Sequence, residues 1–135
     1  MTLIKWGEEL STGVGFVDSE HKMLVNMINE LNDAMLEQHG KDVVGRIITR
    51  MAAYAKTHFA HEEKEMLACS FSGYKAHKKE HDDFIDKVAD LKQELDEGRI
   101  MVTTDTMKFL KSWLTSHILV TDKLYVDSFV SHGVH

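Results

Sequence analysis

The chain has 135 residues, 43% of them hydrophobic and 28% charged, which suits a single domain with a substantial core. A formal net charge of −6 argues against nucleic acid or an anionic membrane as the main partner. There is no proline and there are only 8 glycines, a composition that favours long uninterrupted helices over a loop-rich sheet protein. A lone cysteine, Cys69, excludes an internal disulfide framework and fits a reducing compartment. Met1 to Leu10 carries no long apolar run, so neither a signal peptide nor stable membrane insertion is expected, and a cytoplasmic location follows.

In chain order, residues 1–18 hold Trp6, Gly7, Gly13 and Gly15 among scattered apolar residues and read as an ordered, non-helical arm. Asp18 or Ser19 can cap a first helix over about 19–39, whose stripe is His21, Leu24, Ile28, Leu31 and Met35, ending near Gly40. Asp42 can start a second, over about 42–68, with Val44, Ile48, Met51, Ala55, His58 and Glu62 inward. Ser72 and Gly73 break the chain before a third helix over about 73–97, marked by Tyr74, His77, His81, Phe84, Val88, Leu91 and Leu95 and stopped by Gly98. Thr103 to Asp105 offer caps for a fourth, over about 104–129, with Met107, Leu110, Leu114 and His117 inward. Short connections between long amphipathic helices predict an all-α fold over residues 1–135: an up-down-up-down antiparallel four-helix bundle preceded by the arm.

The polar residues in those stripes carry the chemistry. His58-x-x-x-Glu62 and His77-x-x-x-His81 are spaced i, i+4, which sets each pair on one helical face, able to converge on one ion. His21, His117 and Asp122 complete a set of five histidines and two carboxylates, enough for a two-metal site. One buried histidine is usually a satisfied core residue, but several on converging faces would leave many polar groups unpaired without a metal. On a regular helix Asp122 would sit about 140° around from His117. The pattern therefore predicts a local widening, such as a π-bulge, between them. Imidazole with carboxylate suits iron, manganese, zinc or copper. If Glu62 and Asp122 each bridge two metals, with a solvent-derived oxygen as third bridge, the five histidines divide three and two. Sequence order suggests His77, His81 and His117 on one metal and His21 and His58 on the other, which keeps an open position.

The run His21, His58-x-x-x-Glu62, His77-x-x-x-His81, His117-x-x-x-x-Asp122 resembles the ligand signature of the hemerythrin family in its bacterial single-domain form. The likeness extends to Trp6…Gly13-Val14-Gly15…Asp18-x-x-His21, to His58-Phe59-x-x-Glu62-Glu63-x-x-Met66 and to Trp113-Leu114-x-x-His117-Ile118. Glu20 stands where many relatives have glutamine, and Ser131 to His135 fall outside the pattern. The resemblance implies two non-haem iron ions with an oxo or hydroxo bridge and reversible binding of dioxygen, for oxygen transport, storage or delivery. An oxygen-consuming enzyme is then a candidate partner. Leu24, Phe59, Trp113, Leu114 and Ile118 flank the ligands; each is explained by packing alone, and together they suit a dry pocket for a small apolar gas.

No serine, lysine or free carboxylate in the stripes is placed as a general acid or base, which favours binding over turnover and a protein that is not an enzyme. The competing readings are an oxygen or redox sensor and a di-iron enzyme, such as a peroxidase, an oxidase or a nitric oxide scavenger. A sensor normally needs an output surface or fused domain, for which the sequence carries no linker. Oxygen-activating ferritin-like bundles use more carboxylates than the two found here. Of the remaining residues, Glu63 and Glu65 are expected to face solvent, and His61 to lie at the surface or support a ligand. His39, His132 and His135 are expected to be solvated and Cys69 exposed between helices. Tyr54 and Tyr125 are unassigned candidates for hydrogen bonds to ligands.

Overall fold

Each apolar stripe becomes one rod of an antiparallel bundle. The computed structural model describes residues 3–37, 41–98 and 104–134. The first rod is α1 (Gly15–Leu36), the second α2 (Lys41–Ala68) and the third α3 (Tyr74–Asp96). The fourth begins as α4 (Thr104–Ser116), widens into a π turn over His117–Thr121 and tightens into a 3-10 turn over Asp122–Tyr125; it ends as α5 (Val126–Ser131). α2 packs against α1 and α3, and α1 also meets α4, which closes the four-helix arrangement. Among the described residues there is no strand, and no helix is long and apolar enough to cross a membrane.

The arm differs from the sequence expectation at its end. The helix starts at Gly15 rather than near residue 19, with Val14 as an N-cap that makes no side-chain capping bond. Asp18 therefore lies inside the first turns, where it ties the arm down instead of capping. It accepts hydrogen bonds from Ser11 Oγ at 2.6 Å, Thr12 N at 2.7 Å and Thr12 Oγ1 at 2.9 Å. An aspartate before an apolar stripe reads as a cap in sequence, and the same acceptor works equally well reaching backwards. Nor is the arm wholly non-helical, since Glu8–Leu10 forms one 3-10 turn. Asn29 of α1 clasps Ile4 through two hydrogen bonds of 2.8 Å, and Lys123 Nζ donates to the Glu9 carbonyl at 2.9 Å.

The link between α2 and α3 turns on Ser70, which takes the left-handed conformation at φ 54° while Phe71 N donates to the Met66 carbonyl at 2.9 Å. Gly73, expected to break the chain, has φ −84° and serves differently: a Cβ there would come within 2.8 Å of the Phe71 ring. Gly98, at φ +72°, ends α3 as the sequence suggests. Gly40 and the caps sought at Thr103 to Asp105 fall outside the residues and side chains described.

Packing divides the interior into two apolar clusters with a polar layer between them. The larger cluster includes Leu24, Leu31, Ile48, Phe59, Phe84, Leu110, Leu114 and Ile118. The smaller gathers Val14, Val17, Met66, Cys69, Tyr125 and Phe129. Along the rods the candidate ligands fall between members of the two, save His58, which follows Ala55 and precedes Phe59 of the larger cluster. His21 lies between Val17 and Leu24, Glu62 between Phe59 and Met66, and His117 and Asp122 between Leu114 and Tyr125. Tyr74 packs on the smaller cluster, so His77 and His81 lie between it and Phe84. Cys69 is 6% exposed and packs in the smaller cluster, correcting the expectation of an exposed thiol; its place at a helix end hides that burial from the sequence.

Candidate metal centre

All four rods feed the polar layer. α1 supplies His21, α2 supplies His58 and Glu62, α3 supplies His77 and His81, and the fourth rod supplies His117 and Asp122. The predicted widening is present: the Asp122 N–H donates to the His117 carbonyl five residues back, and that extra residue returns Asp122 to the inner face. His117 Nε2 then lies 3.0 Å from Asp122 Oδ1.

The seven side chains meet closely and are sealed from solvent, none more than 3% exposed. Asp122 sits 2.9 Å from His77 Nε2 through Oδ1 and 2.9 Å from His21 Nε2 through Oδ2. Glu62 Oε1 is 2.8 Å from His58 Nε2 and 3.6 Å from His81 Nε2. Two overlapping groups of candidate ligand atoms, each within 4.8 Å of one another, result among the described residues. One is Glu62, His77, His81, His117 and Asp122; the other is His21, His58 and Glu62. Glu62 belongs to both, and Asp122 touches histidines of both.

These atoms fit a cation better than they fit one another. His81 Nε2 and His117 Nε2 approach to 3.0 Å. Meanwhile His21 Nε2, His58 Nε2, His77 Nε2, Glu62 Oε1 and both Asp122 oxygens are buried without a hydrogen-bond partner. Groups so hidden are normally satisfied, and imidazole nitrogens gathered with carboxylate oxygens in a dry layer form a donor set for divalent metal ions.

The titration of these groups reflects that mismatch. Burial lowers the His58 pKa, but the nearby Glu62 carboxylate, the hydrogen bond to Glu20 and the Asp122 charge outweigh it and lift it to about 10. His117 is likewise lowered by burial yet held at about 8, chiefly by Asp122. Burial and the neighbouring His117 and His77 push His81 far below its ordinary value. Burial raises Asp122, but the facing imidazoles of His117, His21 and His77 hold it well below the usual carboxylate range. Burial, Asp122 and Glu62 push the Tyr125 phenol well above its ordinary value.

A ring of outer partners fixes the imidazoles. His58 Nδ1 donates to Glu20 Oε1 at 2.7 Å, His81 Nδ1 to Glu63 Oε2 at 2.8 Å and His117 Nδ1 to Glu80 Oε1 at 2.9 Å. An Nδ1–H held by a carboxylate turns Nε2 inward, the nitrogen that can ligate. The Tyr125 hydroxyl donates to Glu62 Oε2, and Thr121 Oγ1 donates to Glu80. Glu63 thus corrects the expectation that it faces solvent. Glu80 and Thr121 carried no signal in the stripes, and Tyr125 gains the partner it lacked. Glu65 is half-exposed, His132 is exposed, Tyr54 packs at the edge of the larger cluster, and His39 and His135 lie outside the described residues. His61, 37% exposed, donates to Glu20 Oε2 at 2.9 Å and stacks on Phe16.

The apolar flank is aromatic on one side. Phe59 lies flat on His81 with ring centres 3.8 Å apart, and Trp113 lies on His117 at 4.5 Å. Both aromatics therefore cover the three-histidine side, while Leu24, Leu114 and Ile118 are buried in the larger cluster. An outer groove of about 430 Å³ between α2 and α3 reaches inward to Phe59 and His81.

With the geometry described, comparison with known proteins is informative. Residues 12–128 match the family described as the Hemerythrin HHE cation binding domain. The chain is 36% identical to the bacteriohemerythrin of Methylococcus capsulatus, over 93% of this chain and 95% of that protein. It is 35% identical to the bacteriohemerythrin of Pseudomonas aeruginosa, over 99% of this chain and 86% of that one. It is 33% identical to the hemerythrin of Themiste dyscrita, over 89% and 88% of the two chains. A crystal structure of wild-type hemerythrin superposes with a TM-score of 0.88 at 35% identity, covering 93% of this chain and 97% of that one.

Proposed function

The chain belongs to the hemerythrin family, and from that premise we propose that it binds dioxygen reversibly at a non-haem di-iron centre, serving oxygen transport, storage or delivery. The observation that carries this reading is the set of inward nitrogens and carboxylate oxygens buried without hydrogen-bond partners. In this reading His77, His81 and His117 hold one metal and His21 and His58 the other. Glu62 and Asp122 reach both, in keeping with their contacts to histidines of each group. Two iron ions there would supply the two electrons that dioxygen takes up on binding and returns on release.

The protein's own residues do the rest. Glu20, Glu63 and Glu80 hold three imidazoles by Nδ1 and keep the opposite nitrogen free to ligate. Tyr125 holds one Glu62 oxygen by its hydroxyl and, stacked on His77, keeps that ring in plane. Leu24, Phe59, Trp113, Leu114 and Ile118 would keep water and external acid away from the layer.

The test is an optical titration of the anaerobically reduced, iron-quantified protein with air, followed by argon flushing. A coloured band that forms with oxygen and disappears on deoxygenation is the expected result. Rapid irreversible conversion to the ferric protein, with peroxide released or consumed, contradicts it and favours an enzyme or sensor.

A further inference from the structure

Each outer carboxylate serves one ring of the layer, but Glu20 is also fastened at its other end by a second histidine. Its Oε1 accepts from His58 Nδ1 at 2.7 Å and its Oε2 from His61 Nδ1 at 2.9 Å, and the His61 ring is itself clamped against Phe16 with centres 4.0 Å apart. The result is a chain of two hydrogen bonds from a half-exposed ring at the surface to a fully buried one in the layer. We propose that Glu20, locked in place by His61, is the positioning residue that fixes the His58 ring and sets the electron-donating strength of the two-histidine half of the site. This rests on the functional reading above, in which His58 is a metal ligand.

Three observations support it. The Glu20 bond anchors the ring by Nδ1, so Nε2, which lies 2.8 Å from Glu62 Oε1, is directed into the layer, where it can ligate once deprotonated. A carboxylate on the outer nitrogen also gives the imidazole partial anionic character, which favours the more oxidised state of a bound metal. Finally, the two halves are unequally supplied. His81 and His117 each have an outer carboxylate, whereas on the other half the His21 Nδ1 is buried with no hydrogen-bond partner. Glu20 therefore acts on the smaller half without help from a second such anion. His61 matters because it occupies the second oxygen: with both oxygens engaged, the carboxylate cannot swing towards water.

The competing explanation is that Glu20 merely staples α1 to α2, and glutamine separates the two, keeping the shape and losing the charge. Zinc stoichiometry and affinity, by competition with a chromophoric chelator, and the reduction potential of the iron-loaded protein would be measured for the parent chain, Glu20→Gln, Glu20→Ala and His61→Phe. A parent that fails to bind two metals removes the functional reading itself. With two bound, Glu20→Gln should keep both while its ferric state becomes easier to reduce. The expected change is about tenfold in the oxidised-to-reduced ratio, or about 59 mV for a one-electron couple. Glu20→Ala should shift in the same direction and bind the second metal about ten- to a hundredfold more weakly. His61→Phe, which retains a ring to stack on Phe16, should fall between parent and Glu20→Gln, and it decides the matter should either Glu20 variant fail to fold. Potentials and second-metal affinities equal to those of the parent would overturn the proposal and leave Glu20 as a staple.

Discussion

Leu31 and His77 are hidden from water to nearly the same degree, and they show two ways of filling the inside of a bundle. Around Leu31 the larger cluster is made of aliphatic and aromatic side chains, and packing accounts for every one of them. Around His77 the neighbours include imidazoles and carboxylates, and several inward atoms of the layer lack hydrogen-bond partners. The first region is complete as protein. The second has the donor set of a metal site, and under the proposed function its stability and its chemistry would depend on the same ions.

The largest effect should come from breaking the layer. His77→Ala removes one ligand and leaves the others buried and uncompensated, so metal should be lost along with about 3–5 kcal/mol of stability. Elemental analysis and thermal melting check this, and near-native iron content would refute the ligand assignment.

A matched pair of leucines sharpens the contrast. Leu31→Ala and Leu114→Ala should each cost about 2–5 kcal/mol while retaining metal, since both delete a buried side chain of the larger cluster. Only Leu114, one turn from His117, should also speed autoxidation by admitting water. Equal autoxidation rates in the two variants would remove Leu114 from the excluding wall.

Proton release gives a smaller, graded effect. In the metal-free protein His58 (raised to about 10) and His117 (about 8) are both protonated at neutral pH. Metal can bind only their neutral forms, so loading should expel about two protons at pH 7, and affinity should weaken as pH falls. Zinc titration calorimetry in buffers of different ionisation enthalpy measures that number directly. No proton release would mean that the carboxylates do not charge these rings.

The smallest effect belongs to the arm. Asp18→Ala removes three hydrogen bonds that all converge on one half-exposed carboxylate. It should cost about 1 kcal/mol and leave metal content unchanged. The folded Asp18 pKa lies below its ordinary 3.8: burial raises it, and hydrogen bonds from Ser11 and Thr12 outweigh that. Its contribution is therefore present above 3.8 and lost as pH falls through the lower folded value. A melting temperature in the variant equal to that of the parent, at neutral pH, would show that the arm is held elsewhere.

Much of this was legible in the sequence because helical periodicity speaks directly about inward faces. The stripes placed His21, His58, Glu62, His77 and His81 on those faces, and the five-residue step to Asp122 required the widened turn that is present. What periodicity does not report is what lies beside a stripe. Glu20 adjoins His21, Glu63 adjoins Glu62 and Glu80 adjoins His81, yet each reaches a histidine on another helix. A neighbour in sequence points about 100° away around the helix, towards the adjacent rod, so only the packed bundle reveals its partner. The same limit left the partner of Tyr125 unassigned, though its hydroxyl finds Glu62 across the layer, and misread Asp18 as a cap.

Anaerobic titration of the metal-free protein with ferrous iron, followed by melting at each step, tests the dependence of the layer on cations most directly. Saturation at two irons per chain, with a rise in melting temperature as they enter, is the predicted result. Saturation at one or none, or a melting temperature indifferent to iron, would contradict it.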